Sequence, residues 1–318
     1  MRDHFGRKVN YMRISITDLC NLRCVYCMPE AGVPKRRHAT NLTFEAIEAL
    51  VRAGAEMGID KIRLTGGEPL VRRGVLELVE KIGAIPGIRD FAMTTNGILL
   101  PAMARDLKRA GLDRVNISLD TFEPEKYAKI TRCGRLEDAL AGIEAARAAG
   151  LTPIKLNTVL IKGFNDDEIE AFVDYTKDHA VDVRFIELMP LGQGADYAFG
   201  QYLSGDAVLE RAPALTPVAG PPGAPARLFE LPGAQGRVGL INPISHRFCA
   251  DCNRIRVTAD GKLKPCLHSD EELDVAALHQ AGKSYREILE MAVTAKPERH
   301  HIDERETIKK RNMNEIGG

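Results

Sequence analysis

Two hydrophobic periods alternate along the chain from residue 11 to residue 189. Short apolar runs rich in Ile, Val, Leu, Phe and Thr lie at 12–17 (MRISIT), 61–65 (KIRLT), 91–95 (FAMTT), 114–119 (RVNISL), 154–161 (IKLNTVLI) and 183–188 (VRFIEL). Each has the length and composition of a strand. Between them, apolar positions recur every three to four residues, the helical period. In 43–58, Phe44, Ile47, Leu50, Val51 and Ala55 form one stripe, with Thr43 placed to cap it. In 165–179, Ile169, Phe172, Val173 and Thr176 do the same, and Asn165 with Glu168 reads as a capping box. Further helices are predicted over 74–85, 101–110 and 135–149. Six strand–helix repeats predict an α/β fold, a parallel sheet buried by helices.

A doubly wound sheet and a (β/α) barrel both satisfy that pattern. The unusual residues separate them. Cys20, the GGEP at 66–69, the TNG at 95–97, Asp120 and Met189 all fall at or just after strand ends. Polar chemistry at the C-terminal ends of successive strands is how a barrel builds a site. The prediction is a partial (β/α)6 TIM-like barrel over 1–192, with a C-terminal extension over 193–318 capping its open side. In that extension, 211–236 is Pro/Gly/Ala-rich and reads as an irregular or edge-hairpin connection. The ADG at 259–261 reads as a hairpin turn, and a helix is predicted over about 271–295.

The 318 residues suffice for a sizeable core. Lys plus Arg and Asp plus Glu number 44 each, so nothing global points to nucleic acid or an anionic membrane; a basic site must be local. No apolar run approaches the roughly 20 residues of a membrane helix. The N-terminus has no apolar core like that of a secretory signal. The reading is a cytoplasmic protein.

Six of the seven cysteines form two groups, Cys20, Cys24, Cys27 and Cys249, Cys252, Cys266; Cys133 stands apart. Clustered cysteines in an intracellular chain point to metal rather than disulfides. Structural zinc takes four protein ligands, and no fourth Cys or His lies in the first loop. A cubane iron–sulfur cluster can leave one iron without a thiolate. Spacing alone favours zinc at the second group, as Cys-x2-Cys plus Cys266 with His268 or His246. The two glycines of TGGEPL let backbone approach a ligand closely, and Glu68 can accept from an ammonium group. Basic residues stand in or beside apolar strands: Arg13, Lys61, Arg63, Lys155, Arg184, Arg254 and Arg256. Strand alternation puts Arg254 and Arg256 on one face. Together they read as a polyanion pocket, since buried phosphate charge needs cations.

CNLRCVYC at 20–27 resembles the radical S-adenosylmethionine (SAM) enzymes, whose three-cysteine loop holds a [4Fe-4S] cluster. FCADCNRIRVTADGKLKPCL resembles one family among them, the GTP 3′,8-cyclases that begin molybdenum cofactor biosynthesis. Motifs along the whole chain carry this resemblance: MRISITDLCNLRCVYCMPE, IRLTGGEPLVRRG, TTNG, NISLDT, KLNTVLIKGFNDDEI, VRFIELMPLG and the terminal MNEIGG. It implies two [4Fe-4S] clusters, on Cys20, Cys24 and Cys27 and on Cys249, Cys252 and Cys266, the second with an open iron facing the purine. It implies SAM bound by Tyr26, Gly67, Ser118 and Met189. It implies GTP bound by Arg13, Arg63, Thr94, Lys155, Arg254, Ile255 and Arg256, with Lys61 and Arg184 as weaker candidates.

Reductive SAM cleavage would give a 5′-deoxyadenosyl radical that takes the ribose 3′ hydrogen. The carbon radical would attack guanine C8, and reduction with protonation would complete a cyclised dihydroguanosine triphosphate. Arg13, Arg254 and Arg256 are the catalytic candidates, Arg13 also for the later electron or proton step, together with a terminal Gly317–Gly318 that enters the site. The implied partners are a flavodoxin- or ferredoxin-type electron donor and a downstream cyclic pyranopterin monophosphate synthase, with no nucleic acid or membrane; the oligomeric state stays open, a homodimer included. Two other readings are a radical SAM maturase of sulfatases or peptides, and a zinc-binding regulatory or scaffold protein. Cys133, His300 and His301 receive no metal role, and Asp120 reads either as a structural residue or as part of the site.

Overall fold

The computed structural model of the chain describes residues 1–33, 41–302 and 311–317. Six parallel strands follow one another in chain order: β1 (Tyr11–Ser15), β2 (Lys61–Thr65), β3 (Asp90–Thr95), β4 (Arg114–Ser118), β5 (Ile154–Leu160) and β6 (Val181–Glu187). Helices α1 (Phe44–Glu56), α2 (Val75–Gly83), α3 (Leu100–Arg109), α4 (Pro124–Thr131), α5 (Leu136–Ala148) and α6 (Ile169–Asp178) connect them. Of these, only α4 was not predicted. Strands β1 and β6 do not pair with each other, so the sheet is a partial barrel, as the alternation predicts.

One face of each strand meets the helices. Met12, Ile14, Ile62, Leu64, Met93, Val115, Ile117 and Leu156 are buried there in one continuous core. Helix α1 presents Ile47, Leu50 and Val51 to it, and full burial of each contributes about 1.5–3 kcal/mol. Thr43 caps that helix by accepting from the Ala46 N–H. The capping box expected at Asn165 is not formed. Asn165 instead accepts from the Ile161 N–H and donates to the Asp120 and Val159 carbonyls, while the Glu168 carboxylate takes the Thr121 hydroxyl and the Phe122 N–H. Tertiary partners outbid the local cap.

The C-terminal extension flanks the opening by joining both free edges of the barrel. After α7 (Gly194–Gln201) and α8 (Asp206–Arg211) come β7 (Thr216–Val218), β8 (Ala226–Glu230) and β9 (Val238–Ile241). Strand β9 runs parallel to β6, and β7 and β8 form the expected antiparallel edge hairpin beyond it. At the other edge, β10 (Arg254–Val257) runs parallel to β1 and turns through 258–261 into antiparallel β11 (Lys262–Lys264), then β12 (Leu273–Asp274). The single helix expected near 271–295 is two, α9 (Val275–Gln280) and α10 (Tyr285–Thr294), interrupted around Gly282 with φ of 89°. A last short helix, α11 (Met313–Ile316), precedes Gly317. Among the described residues no helix is long and apolar enough to cross a membrane.

Candidate functional site

The inner face of the curved sheet is polar. Alternation on β1 turns Tyr11 and Arg13 away from the core that Met12 and Ile14 enter, and register carries the pattern sideways. Arg256, Arg13 and Arg63 lie side by side on β10, β1 and β2, and Thr94, Asn116 and Lys155 on β3, β4 and β5. Arg184 on β6 pairs in register with Asn157. Nearly all the basic residues singled out in the sequence therefore converge on one lumen. Ile255 points the other way, fully buried in the core, so only its backbone can face the lumen.

These cations crowd one another. Burial, then Arg256 beside it, pushes Arg13 well below its ordinary range; burial and the neighbouring guanidinium groups bring Arg184 and Arg256 each to about 10. Burial, with Arg184 and Arg114 nearby, brings Lys155 to about 7. Guanidinium groups stay protonated in proteins, so the downward push reflects the cost of burying these charges, with mutual repulsion added, and a bound polyanion would offset both. Buried polar atoms along the same face have no hydrogen-bond partner among the described residues: Arg63 Nε, Arg184 Nε, Arg254 Nη2, Thr94 Oγ1, Asn116 Nδ2, Asn157 Oδ1 and Tyr11 Oη. Such a concentration of unsatisfied groups marks a ligand site.

The two cysteine groups lie at opposite ends of this lumen. Cys20, Cys24 and Cys27 follow β1, at the C-terminal mouth. Cys249 and Cys252 precede β10, which is parallel to β1, and Cys266 follows antiparallel β11, so all three stand at the N-terminal mouth. Strand β1 has five residues, about 16 Å of extended chain, and sets the scale of the separation.

At the C-terminal mouth, burial raises the thiols, Cys20 to about 11 and Cys27 to about 12, with Cys24 also well above its ordinary value and facing both. N–H groups are aimed at the sulfurs: Leu22 N–H donates to Cys20 Sγ at 3.3 Å, and the Asn314 backbone reaches Cys27. At the other mouth burial alone would raise Cys252, but Arg254 and Lys296 bring it down to about 7. Lys296 Nζ lies 3.7 Å from Cys252 Sγ and donates to the Arg254 and Pro265 carbonyls. The His268 backbone N–H serves Cys266. All six cysteines are free thiols, and N–H donors to sulfur are what iron–sulfur clusters use to settle their charge, so both groups fit a thiolate-held cluster. Among the described residues no three His, Cys, Asp or Glu side chains form a group for one metal ion, whereas a cubane spreads its thiolates over separate irons. His246, one candidate fourth zinc ligand, is instead 2.8 Å from the Asp206 carboxylate.

The rim of the C-terminal mouth is knitted by buried carboxylates. Gly66 and Gly67 let the turn after β2 lie backbone to backbone on the cysteine loop; a Cβ on either would collide with the Thr17 or Leu19 carbonyl. The Gly67 and Glu68 N–H groups donate to those carbonyls at 2.8 Å each. The Glu68 carboxylate, expected from sequence to be available for an ammonium group, is already taken by the Leu70 N–H, Thr95 hydroxyl and Asn96 N–H, and burial raises it to about 7. Asp120 accepts from Tyr26 Oη at 2.6 Å and from the Val159 N–H at 2.9 Å, so it is a structural strut to the cysteine loop. Glu187, at the end of β6, gathers the Gly205, Ile244 and Ser245 N–H groups and the Ser245 hydroxyl, fastening the extension to the barrel. The Tyr26 and Met189 carbonyls both abut Gly194, which brings those two residues together, and Ser118 ends β4 beside Asn157.

The tail enters from the same mouth. Arg311 is paired with Asp260 and Glu272, and Asn314 Nδ2 donates to the Asp18 carbonyl at 2.9 Å. Gly317, with φ of 82°, accepts from Arg256 Nη1 at 2.7 Å, and a Cβ there would strike Thr65. Gly318 lies outside the described residues. Sequence reading missed Arg7, which donates to the Cys249 carbonyl, as well as Lys296, Arg114 and Asn116. The last two were within reach, because they share the alternation phase of Ser118 on an otherwise apolar strand. Cys133 is exposed, with Sγ 3.5 Å from the Asn21 carbonyl on the cysteine loop.

Comparison with known proteins follows this geometry. Residues 14–176 match the Radical SAM superfamily, and residues 181–302 match Molybdenum Cofactor Synthesis C. The GTP 3′,8-cyclase of Alkaliphilus oremlandii (strain OhILAs) is 52% identical over 100% of both chains. That of Peptoclostridium acidaminophilum is 52% identical over 99% of this chain and 98% of its own. Among solved structures, Streptococcus suis SuiB bound to S-adenosylmethionine is similar with a TM-score of 0.57 and 12% identity, over 89% of this chain and 65% of that one, a likeness of fold. The chain belongs to the radical SAM superfamily and, within it, to the GTP 3′,8-cyclase family.

Proposed function

We infer that the chain is a radical SAM GTP 3′,8-cyclase, acting at the first step of molybdenum cofactor biosynthesis. The observation that carries this reading is the lumen itself: a cationic face with unsatisfied donors, bounded at each end by three free thiols. When bound, the first cluster with SAM supplies the 5′-deoxyadenosyl radical that abstracts the ribose 3′ hydrogen of GTP.

The residues of the chain do the positioning. Cys20, Cys24 and Cys27 hold the first cluster, and Tyr26, Gly67, Ser118 and Met189 hold SAM. Arg13, Arg63, Thr94, Lys155, Arg254 and Arg256, with the Ile255 backbone, hold GTP so that C3′ and C8 stand in attack geometry, the condition under which an intramolecular step gains most. Cys249, Cys252 and Cys266 hold the second cluster at the purine end. Gly317 and Gly318 complete the site beside Arg256. In this division residues 1–192 handle SAM and residues 193–318 handle the second cluster and the tail. The enzyme works in the cytoplasm, takes electrons from a flavodoxin- or ferredoxin-type donor and passes its product to a cyclic pyranopterin monophosphate synthase. Anaerobic turnover with SAM, dithionite and each nucleotide tests the reading. Release of 5′-deoxyadenosine is expected to depend on GTP; release independent of it overturns the substrate assignment.

A further inference from the structure

Asn116 occupies the middle of β4, fully buried, on the lumen face between Thr94 on β3 and Lys155 on β5. Its side-chain oxygen accepts from Arg114 Nη1 at 2.9 Å. Arg114 is itself held by a two-point contact with Asp90, Nε to Oδ1 and Nη2 to Oδ2, each at 2.9 Å. A guanidinium only donates, so the atom facing Arg114 must be the amide oxygen. The NH2 group is thereby turned away from Arg114, and among the described residues it has no partner. Thr94 Oγ1, the next polar group along the same row, is also unpartnered. A buried donor without an acceptor costs about 1–3 kcal/mol. Here Asp90 and Arg114 impose that cost by fixing the orientation, which is the arrangement of a site built in advance for an acceptor. Lys155 on the adjacent β5 and Arg63 on β2, one strand beyond β3, say what kind of acceptor: an anion rather than a neutral carbonyl.

We propose that Asn116 binds a phosphate oxygen of the nucleotide through its amide NH2, alongside Thr94 and Lys155, and that Asp90 and Arg114 are the positioning pair that keeps the amide pointed at it. The assignment rests on the nucleotide reading above and adds a neutral, geometrically fixed donor to its cations.

Equilibrium binding to the anaerobic, cluster-loaded protein tests it, with GTP, guanosine, inorganic tripolyphosphate and SAM as separate probes. Asn116→Asp keeps the shape and replaces the donor by a negative oxygen. It is expected to weaken GTP and tripolyphosphate by about tenfold to a hundredfold, the scale of one hydrogen bond to a charged group. Guanosine and SAM should be unaffected. A general disturbance of the fold would move all four probes together, so the GTP-to-guanosine ratio separates a phosphate contact from a structural role. Asn116→Ala gives the same series without the added charge if the Asp variant does not fold. Asp90→Asn, which frees Arg114, should produce a smaller loss confined to the same two probes. Equal loss of GTP and guanosine, or tripolyphosphate binding unchanged in both Asn116 variants, overturns the assignment. A wild-type protein that binds neither GTP nor tripolyphosphate overturns the nucleotide reading itself.

Discussion

The two mouths of the barrel each carry three thiols, but the charged groups beside them differ. At the C-terminal mouth the cysteines sit near Glu68 and Asp120, both buried carboxylates, and every thiol is pushed up. At the N-terminal mouth burial raises Cys266 as well, but Cys252 sits against Arg254 and Lys296 and is pulled down. The difference matches what each end would accept in the proposed function, SAM at the C-terminal mouth and the nucleotide from the lumen to the N-terminal one. SAM carries a sulfonium and an ammonium, so cations at its end would compete with it. A nucleoside triphosphate is a polyanion, and the cations that receive it reach from the lumen to the second cysteine group. In the proposed assignment three cysteines would hold a cluster at either end, and their surroundings would set which molecule each end receives.

The largest expected effect comes from removing one thiol at either mouth. Cys24→Ser should abolish SAM cleavage. Cys252→Ser should leave SAM cleavage measurable while losing the cyclised product. Each variant should retain roughly half of the iron and sulfide, since one cluster's ligands stay intact. Iron analysis with quantitation of 5′-deoxyadenosine and cyclised nucleotide checks the pair, and identical losses in both would dissolve the division between the mouths.

Lys155 gives the next test, through pH. Its folded value of about 7 lies below the 10.5 of an unperturbed lysine. Between those two values the unfolded chain binds the extra proton, so the ligand-free protein gains stability as pH rises through that window. Lys155→Met should flatten this part of the stability profile in anaerobic denaturation. GTP binding near pH 8.5 should take up a proton in the wild type, read as a buffer-dependent binding enthalpy, and that uptake should vanish in the variant.

A smaller effect is expected at the strut between Tyr26 and Asp120. Tyr26→Phe removes a hydrogen bond to a buried carboxylate and should cost about 2 kcal/mol of stability, read by chemical denaturation. The loss should be accompanied by weaker SAM binding and unchanged GTP binding. The smallest effect concerns Lys296→Met. Loss of a cation 3.7 Å from Cys252 Sγ should lower the midpoint potential of the second cluster, because the positive charge favours the reduced, more negative state. The first cluster should titrate as before; a shared shift would mean that the two mouths are not electrostatically separate.

Much of this was written in the chain at short range. Alternation in RVNISL and in the IKLN that opens β5 puts polar residues on one face and Val, Ile or Leu on the other, and the structure keeps that division at Asn116, Ser118, Lys155 and Asn157. The cysteine spacings, the six strand–helix repeats and the cap at Thr43 were legible for the same reason. The capping box at Asn165 failed because the carbonyls of Asp120, distant in sequence, and of the nearby Val159 took that side chain instead. Glu68 and Asp120 resembled site residues because they stand at strand ends, and only their hydrogen bonds reveal that both are consumed in holding loops.

By itself the sequence determined most of the elements, the face each strand residue takes and the division of six cysteines into two groups, since all of these depend on local periodicity and spacing. Tertiary structure decided that β10 pairs in parallel with β1, and therefore that the second cysteine group stands at the far end of the lumen from the first. It also decided that Lys296 comes to Cys252 and that the terminal Gly317 comes to Arg256. Strand period encodes a side chain's direction but carries no information about which distant strand lies alongside. That choice belongs to the packing of the whole sheet.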